Sequence, residues 1–204
     1  MNVICCDLEG VFVPEIWINV AQKTGIEDLR LTTRDISDYD KLMKHRLSVL
    51  SRHGLKLGDI TAVIATIEPL DGAVDFLDRL RRKAPVIIVS DTFTQFAGPL
   101  MEKLKMPTLF CNTLVVDKDG SIADYKLRQE DGKRHVAVAL RSLNYRVIAM
   151  GDSYNDIGML KEADTGILFR PPENVIREFP EFPVVNGYGE LESMLAAHLE
   201  NQLA

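Results

Sequence analysis

Basic residues are in deficit, 24 lysines and arginines against 30 acids, with no basic run longer than the short "RLRRK" at 79–83 and a formal net charge of −6. That argues against a nucleic-acid footprint and against a basic membrane face. It does not argue against an anionic ligand, because a bound cation can reverse the local sign. No apolar run nears the length of a membrane span, and the N-terminus lacks the basic region and apolar segment of a secretory signal. Cysteine is scarce. Cys5, Cys6 and Cys111 are an odd number without metal-ligand spacing, and neighbours such as Cys5 and Cys6 face opposite sides of a strand. They read as small buried hydrophobes in a reducing compartment, so the expected location is cytoplasmic. Histidine is equally sparse. His45, His53, His135 and His198 are scattered and form neither a triad nor a zinc pattern.

What is present suits a folded core. The chain has 204 residues, 46% hydrophobic and 26% charged, enough for one domain or one domain carrying an insertion. One pattern occurs three times: an apolar run, then an acid, then small or polar residues. "NVICC" ends at Asp7, "APVIIVS" at Asp91 and "YRVIAMG" at Asp152. Runs apolar at successive positions suit strands covered on both faces, as in a parallel sheet between helix layers. "TGILF" at 165–169 adds another such strand. Between them, 71–84, 99–105, 134–143 and 191–203 read as helices, the second with Pro99 in its first turn. The expected class is α/β, a doubly wound (Rossmann-like) parallel sheet, whose ligand crevice lies at the strand C-terminal ends.

Two segments depart from the alternation. Residues 14–68 favour helix throughout and are too long for a simple crossover. They are expected to form a small inserted helical cap over a core of 1–13 and 69–204. Residues 113–127 hold two β-rich runs around Asp119-Gly120, a hairpin signal.

The acids Asp7, Glu9 and Asp152 would converge at the strand ends and repel one another. A divalent cation resolves that conflict, and oxygen ligands without histidine favour Mg²⁺ over zinc. One shielded carboxylate could then attack phosphorus and form an aspartyl-phosphate, while a second protonates the leaving oxygen and later activates water. Ser90 and Lys133, the latter near a helix start, supply a donor and positive charge for phosphoryl oxygens, and "GDSYND" adds Asn155 and Asp156 at the start of the next helix. Singly these are unremarkable, since a strand-end acid is often only a helix N-cap. The ordered set is far more specific.

That ordered set resembles the haloacid-dehalogenase-like phosphohydrolases, with "DLEGV" as first motif, Ser90 as second, Lys133 as third and "GDSYND" as fourth. Within them the chain is similar to the phosphoserine phosphatase branch, and more narrowly to bifunctional phosphoserine phosphatase/homoserine phosphotransferase proteins. The resemblance implies Asp7 as nucleophile and Glu9 as general acid/base. It implies Mg²⁺ held by Asp7, Asp152 and the Glu9 backbone carbonyl, and Ser90, Lys133, Asn155 and the Asp91 backbone N–H on the phosphoryl group. Asp156 would support the site. Glu15 and Arg46 match the positions that grip the amino group and carboxylate of phosphoserine. A zwitterion wants one acid and one base, and arginine suits a bidentate carboxylate contact. Glu15, after Pro14, could equally complement a helix N-terminus. Most of the wider superfamily has aspartate where this chain has Glu9. The longer side chain must fold back or stand further from the leaving oxygen, which could leave the phosphoenzyme for homoserine rather than water.

Three other readings compete: a phospho-accepting receiver-like signalling domain, a binding protein with a decayed catalytic site, and a phosphatase for another small phosphomonoester. Receivers are shorter and carry their acid pair and acceptor aspartate on different strands. The expected partners are small molecules, phosphoserine and homoserine. Trp17 reads as packing, His135 as a helix-surface residue and Met150 as sheet core.

Overall fold

The computed structural model describes residues 1–33, 35–36 and 38–199. Seven strands form one sheet: β1 (Asn2–Cys6), β2 (Val86–Phe93), β3 (Thr108–Val116), β4 (Ile122–Lys126), β5 (Arg146–Gly151), β6 (Thr165–Phe169) and β7 (Val184–Val185). Their order is β4-β3-β2-β1-β5-β6-β7. Neighbours are parallel except β3 and β4. The chain winds outward from β1 in both directions, so the crevice beyond the C-terminal ends of β1 and β5 is the switch point of a doubly wound sheet.

Every residue of β1 is buried, and alternate residues enter different cores. Ile4 and Cys6 pack with α4 (Ala73–Lys83), α5 (Thr94–Lys103) and α9 (Tyr188–Leu199) through Phe76, Leu77, Phe96 and Leu191. Val3 and Cys5 pack with α6 (Gly132–Ser142), α7 (Ile157–Glu162) and α8 (Glu173–Glu178) through Val136, Met159 and Val175. Large apolar side chains of this kind each contribute about 1.5–3 kcal/mol when buried. The unbroken apolar runs follow from this two-sided cover. The cysteines are buried and unbridged.

Within the interval 14–68 lie α1 (Ile16–Thr24), a short 3₁₀ turn at Glu27–Arg30, α2 (Tyr39–Arg52) and α3 (Leu57–Ile64). Their inward residues, among them Val20, Met43, Leu50 and Ile64, join the core on the α4, α5 and α9 face. The hairpin holds this helical group. Leu57 N–H donates to the Gly120 carbonyl at 2.9 Å, Lys56 Nζ pairs with Asp119 at 3.1 Å, and Tyr125 Oη donates to Asp40 at 2.7 Å.

Some boundaries differ from expectation. The hairpin's first strand begins at Thr108, not near 113, because its first half pairs parallel with β2 and only its second half turns antiparallel to β4. Pro99 falls inside α5 rather than in its first turn, where it supplies no N–H to the preceding turn. The last helix is described only to Leu199, and the remainder of the expected 191–203 lies outside the described residues. Among the described residues no helix is long and apolar enough to cross a membrane.

Candidate active site

Asp7 follows β1 directly. Its N–H donates to the Met150 carbonyl at 2.9 Å, extending the β1–β5 pairing by one residue, and its Oδ1 accepts from Leu8 N–H at 2.7 Å. Asp152 follows β5 in the same way. The two carboxylates therefore leave adjacent parallel strands on the same side.

Glycine makes this approach possible. Gly10 has φ +74, and a Cβ there would overlap the Asp152 carboxyl. Gly151 closes β5, and a Cβ on it would overlap Asp156. Asp156 is fully buried and its Oδ2 accepts from the N–H groups of Asp152 at 2.9 Å and Ser153 at 3.1 Å. Its other oxygen binds Lys133 Nζ at 2.7 Å. Lys133, in the first turn of α6, also reaches Asp7 Oδ1 at 2.8 Å. Ligand oxygens of Asp7, Asp152 and Asp156 lie within 4.8 Å of one another, and all three residues are buried.

Burial and the charges of Asp156 and Asp152 push Asp7 well above the usual carboxylate range, opposed by Lys133. Burial works against the charge of Lys133, yet the carboxylates of Asp156 and Asp7 outweigh it and hold the lysine cationic. The cluster is acid-rich, with one ammonium against three carboxylates.

The second strand bends into this cluster. Pairing of β2 with β3 shifts register between Val89 and Phe93, freeing the backbone around Ser90, Asp91 and Thr92. Ser90 Oγ is buried and accepts from Thr92 N–H at 3.2 Å. Asn155 Nδ2 donates to Asp91 Oδ2 at 2.9 Å.

Glu9 points elsewhere. Its Oε2 accepts from Ile16 N–H, the first N–H of α1, at 2.7 Å. Glu15 occupies the N-cap position of α1 but makes no capping bond there, so Glu9 rather than Glu15 complements that helix. Burial and the Glu15 carboxyl push Glu9 up to about 8, against the Ile16 N–H and the Arg46 charge.

Arg46 is buried on α2. Its guanidinium lies 4.6 Å from the centroid of Trp17, and Nη2 donates to the Leu31 carbonyl at 3.0 Å. Its Nε is buried and finds no hydrogen-bond partner among the described residues. Burial lowers this guanidinium to about 10.

A cavity of about 60 Å³ joins these groups, lined by Asp7, Glu9, Glu15, Arg46, Ser90, Asp91, Lys133, Asp152 and Asn155. Every site residue singled out in the sequence except Asp156 lines it, and Asp156 stands behind Lys133. Trp17 lines it too, while its ring packs edge-on to Phe96 at 5.8 Å. Met150 is buried and His135 is exposed on α6. Sequence reasoning missed Tyr39, which lines the cavity and donates its hydroxyl to the Asp91 carbonyl at 3.0 Å. The N-cap Asp38, which accepts from Lys41 N–H at 3.1 Å, marks the start of α2, but nothing in the sequence shows where Tyr39 faces.

Fold and site together define an α/β enzyme with an acidic, oxygen-donor centre at the strand ends. The chain belongs to the haloacid dehalogenase-like hydrolases, whose family model matches residues 4–164. It is 59% identical over 192 residues to "Phosphoserine phosphatase ThrH" of Pseudomonas aeruginosa, covering 94% of each chain. The same identity relates it to "Phosphoserine phosphatase" of Pseudomonas syringae, over 94% of this chain and 81% of that one. Among solved structures, an apo phosphoserine phosphatase superposes with a TM-score of 0.72 at 24% identity, covering 90% of this chain and 92% of that one. A phosphoserine phosphatase from T. onnurineus gives 0.70 at 24% identity, covering 95% and 93%. At that identity the structural likeness speaks for the fold.

Proposed function

We propose that this hydrolase is a phosphoserine phosphatase working through an aspartyl-phosphate, and that it also transfers the phosphoryl group to homoserine. The observation that carries the substrate assignment is Arg46, whose Nε is buried without a hydrogen-bond partner among the described residues and which lines the same cavity as Glu15 and Asp7. A small phosphomonoester with a carboxylate and an ammonium group would satisfy both ends of that cavity. The names of the 59% identical relatives agree with this.

In this reading Asp7 attacks phosphorus while Glu9 delivers its proton to the departing serine oxygen. The products of that half are free serine and phosphorylated Asp7. Glu9, now ionised, removes a proton from water as its oxygen attacks the phosphoryl group, which restores Asp7 and releases phosphate. With homoserine in place of water, the same step makes phosphohomoserine. Ser90, Lys133, Asn155 and the Asp91 N–H hold the phosphoryl oxygens. Asp156 keeps Lys133 aimed at Asp7 and braces the Asp152 loop.

The donor set fits a magnesium ion: three buried carboxylates with oxygen atoms in mutual reach and no sulfur or imidazole among them. Asp7 and Asp152 would hold it together with the Glu9 backbone carbonyl. When bound it supplies positive charge that lets crowded carboxylates stay ionised and offsets charge on the phosphoryl oxygens. Residues 14–68 act as a cap, opening to admit substrate and closing to exclude water.

Phosphorus NMR with Mg²⁺ and L-phosphoserine, with and without homoserine, tests this. Phosphate release from phosphoserine and a new phosphohomoserine signal on adding homoserine are expected. Release without the second signal removes the transferase half. Hydrolysis of generic phosphomonoesters but not phosphoserine removes the roles of Glu15 and Arg46.

A further inference from the structure

The cavity has a neighbour. A groove of about 760 Å³ opens beside it, and both spaces touch Thr33, Tyr39, Asp91, Lys133 and Asn155. On the groove side the walls include Tyr125, Leu127, Asn112 and Tyr154. Tyr39 is the large apolar side chain on the boundary, and its hydroxyl donates across it to the Asp91 carbonyl at 3.0 Å. The ring is braced edge-to-face by Tyr125 at 5.9 Å, which in turn packs on Phe93 at 6.4 Å. The Asp91 carbonyl has a second, longer donor in Asn112 Nδ2 at 3.4 Å, so it is not left orphaned if the tyrosine hydroxyl is removed.

We propose that Tyr39 is a specificity-determining wall that confines the site to phosphomonoesters of small alcohols. Its ring separates a space sized for a small leaving group from one more than large enough for an aromatic group. Without the ring the two spaces join, and the leaving group of a bulky ester extends between Asp91 and α2 into a groove where Tyr125, Tyr154 and Leu127 offer apolar surface among mostly polar and acidic walls. The hydrogen bond holds the ring in place, and the ring does the excluding. The inference rests on the proposed phosphoryl transfer at Asp7, and it adds the residue that sets the size of the substrate.

The test compares kcat/KM for naphthyl phosphate, a bulky ester, with kcat/KM for phosphoethanolamine, a small one, in the presence of Mg²⁺. Tyr39→Ala is expected to raise the bulky-to-small ratio on the order of tenfold over the native chain, in line with the discrimination a tight pocket gives. Tyr39→Leu, which keeps apolar packing if Tyr39→Ala folds poorly, should raise it less but in the same direction. Tyr39→Phe should leave the ratio within about twofold, because the wall remains. A merely structural role would lower both rates together and leave the ratio flat in the folded Ala or Leu variant, which overturns the proposal. A ratio raised as much by Phe as by Ala also overturns it, because the hydroxyl rather than the ring would then be responsible. If the native chain hydrolyses both esters but not phosphoserine, the substrate assignment falls while the wall is still judged by the ratio.

Discussion

Glu9 Oε2 accepts the N–H of Ile16 at 2.7 Å, so the residue proposed as acid for the leaving group holds the first turn of α1. The bond joins the end of β1 to the first helix of the 14–68 interval. Its reach depends on the extra methylene that distinguishes glutamate from aspartate. The carboxyl shares its cavity with Asp7, Glu15 and Arg46.

Glu9→Asp should therefore do two things at once. The shorter carboxyl loses the Ile16 N–H, and stability should fall by about 1 kcal/mol, the usual worth of a helix N-terminal bond. Freed from α1, it should also serve water better, raising phosphate release relative to transfer to homoserine. Urea unfolding and phosphorus NMR read the two effects. An unchanged partition between water and homoserine would show that side-chain length does not set it.

The same residue makes stability depend on pH. Glu9 is raised to about 8 in the folded protein by burial and by Glu15, from an ordinary value of 4.5. Between those two values the folded state keeps a proton that the unfolded chain has lost, so this group's contribution is intact below the lower value and fades as pH rises towards the upper one. In Glu9→Gln that dependence disappears. With a chelator present, the stability of the glutamine variant relative to the native chain should rise from acid to mildly alkaline pH and then level. A pH-independent difference would mean that Glu9 is ionised throughout the range.

Gly151→Ala tests the packing behind the site. The added methyl would overlap the Asp156 carboxyl, which is fully buried and binds Asp152 N–H, Ser153 N–H and Lys133. Moving that carboxyl disturbs three of its bonds together. A loss of about 3 kcal/mol or more is expected, with activity falling further than stability because Lys133 and the Asp152 loop both shift. Thermal unfolding and the rate with phosphoserine measure this. A stable, active alanine variant would show that Asp156 has another place to go.

Much of the centre was legible in the sequence because a doubly wound sheet brings strand ends together whatever their distance in the chain. Asp7, Ser90 and Asp152 needed only the apolar runs before them, and Lys133 needed only the helix start beside Gly132. The partnerships across the helical interval were not legible. Support of the first helix was one of two readings open for Glu15, and it is Glu9 that takes the Ile16 N–H. Tyr39 meets Asp91 only because α2 docks on the hairpin through Asp40 and Tyr125. The strand at Thr108 was hidden because one strand changes partner midway, and β7, at two residues, is too short for any periodicity.

Lys133 offers the sharpest test of how the charges balance. It sits 2.8 Å from Asp7 and 2.7 Å from Asp156, all three buried, so it is the ammonium that makes their burial tolerable. Lys133→Met preserves the length and removes the charge. Breaking a buried pair in this way typically costs about 3–5 kcal/mol, because the remaining carboxylates repel and must either protonate or open to water. In chelator the variant should unfold at markedly lower urea than the native chain. A divalent cation bound in the carboxylate cluster would supply the missing positive charge, so magnesium should stabilise the variant more than it stabilises the native chain. Activity should stay low even at saturating magnesium, because in the proposed mechanism the lysine also holds a phosphoryl oxygen. Equal stabilisation of both chains would mean that lysine and metal answer different charges, and that Asp156, rather than the cation, governs whether Asp7 is ionised.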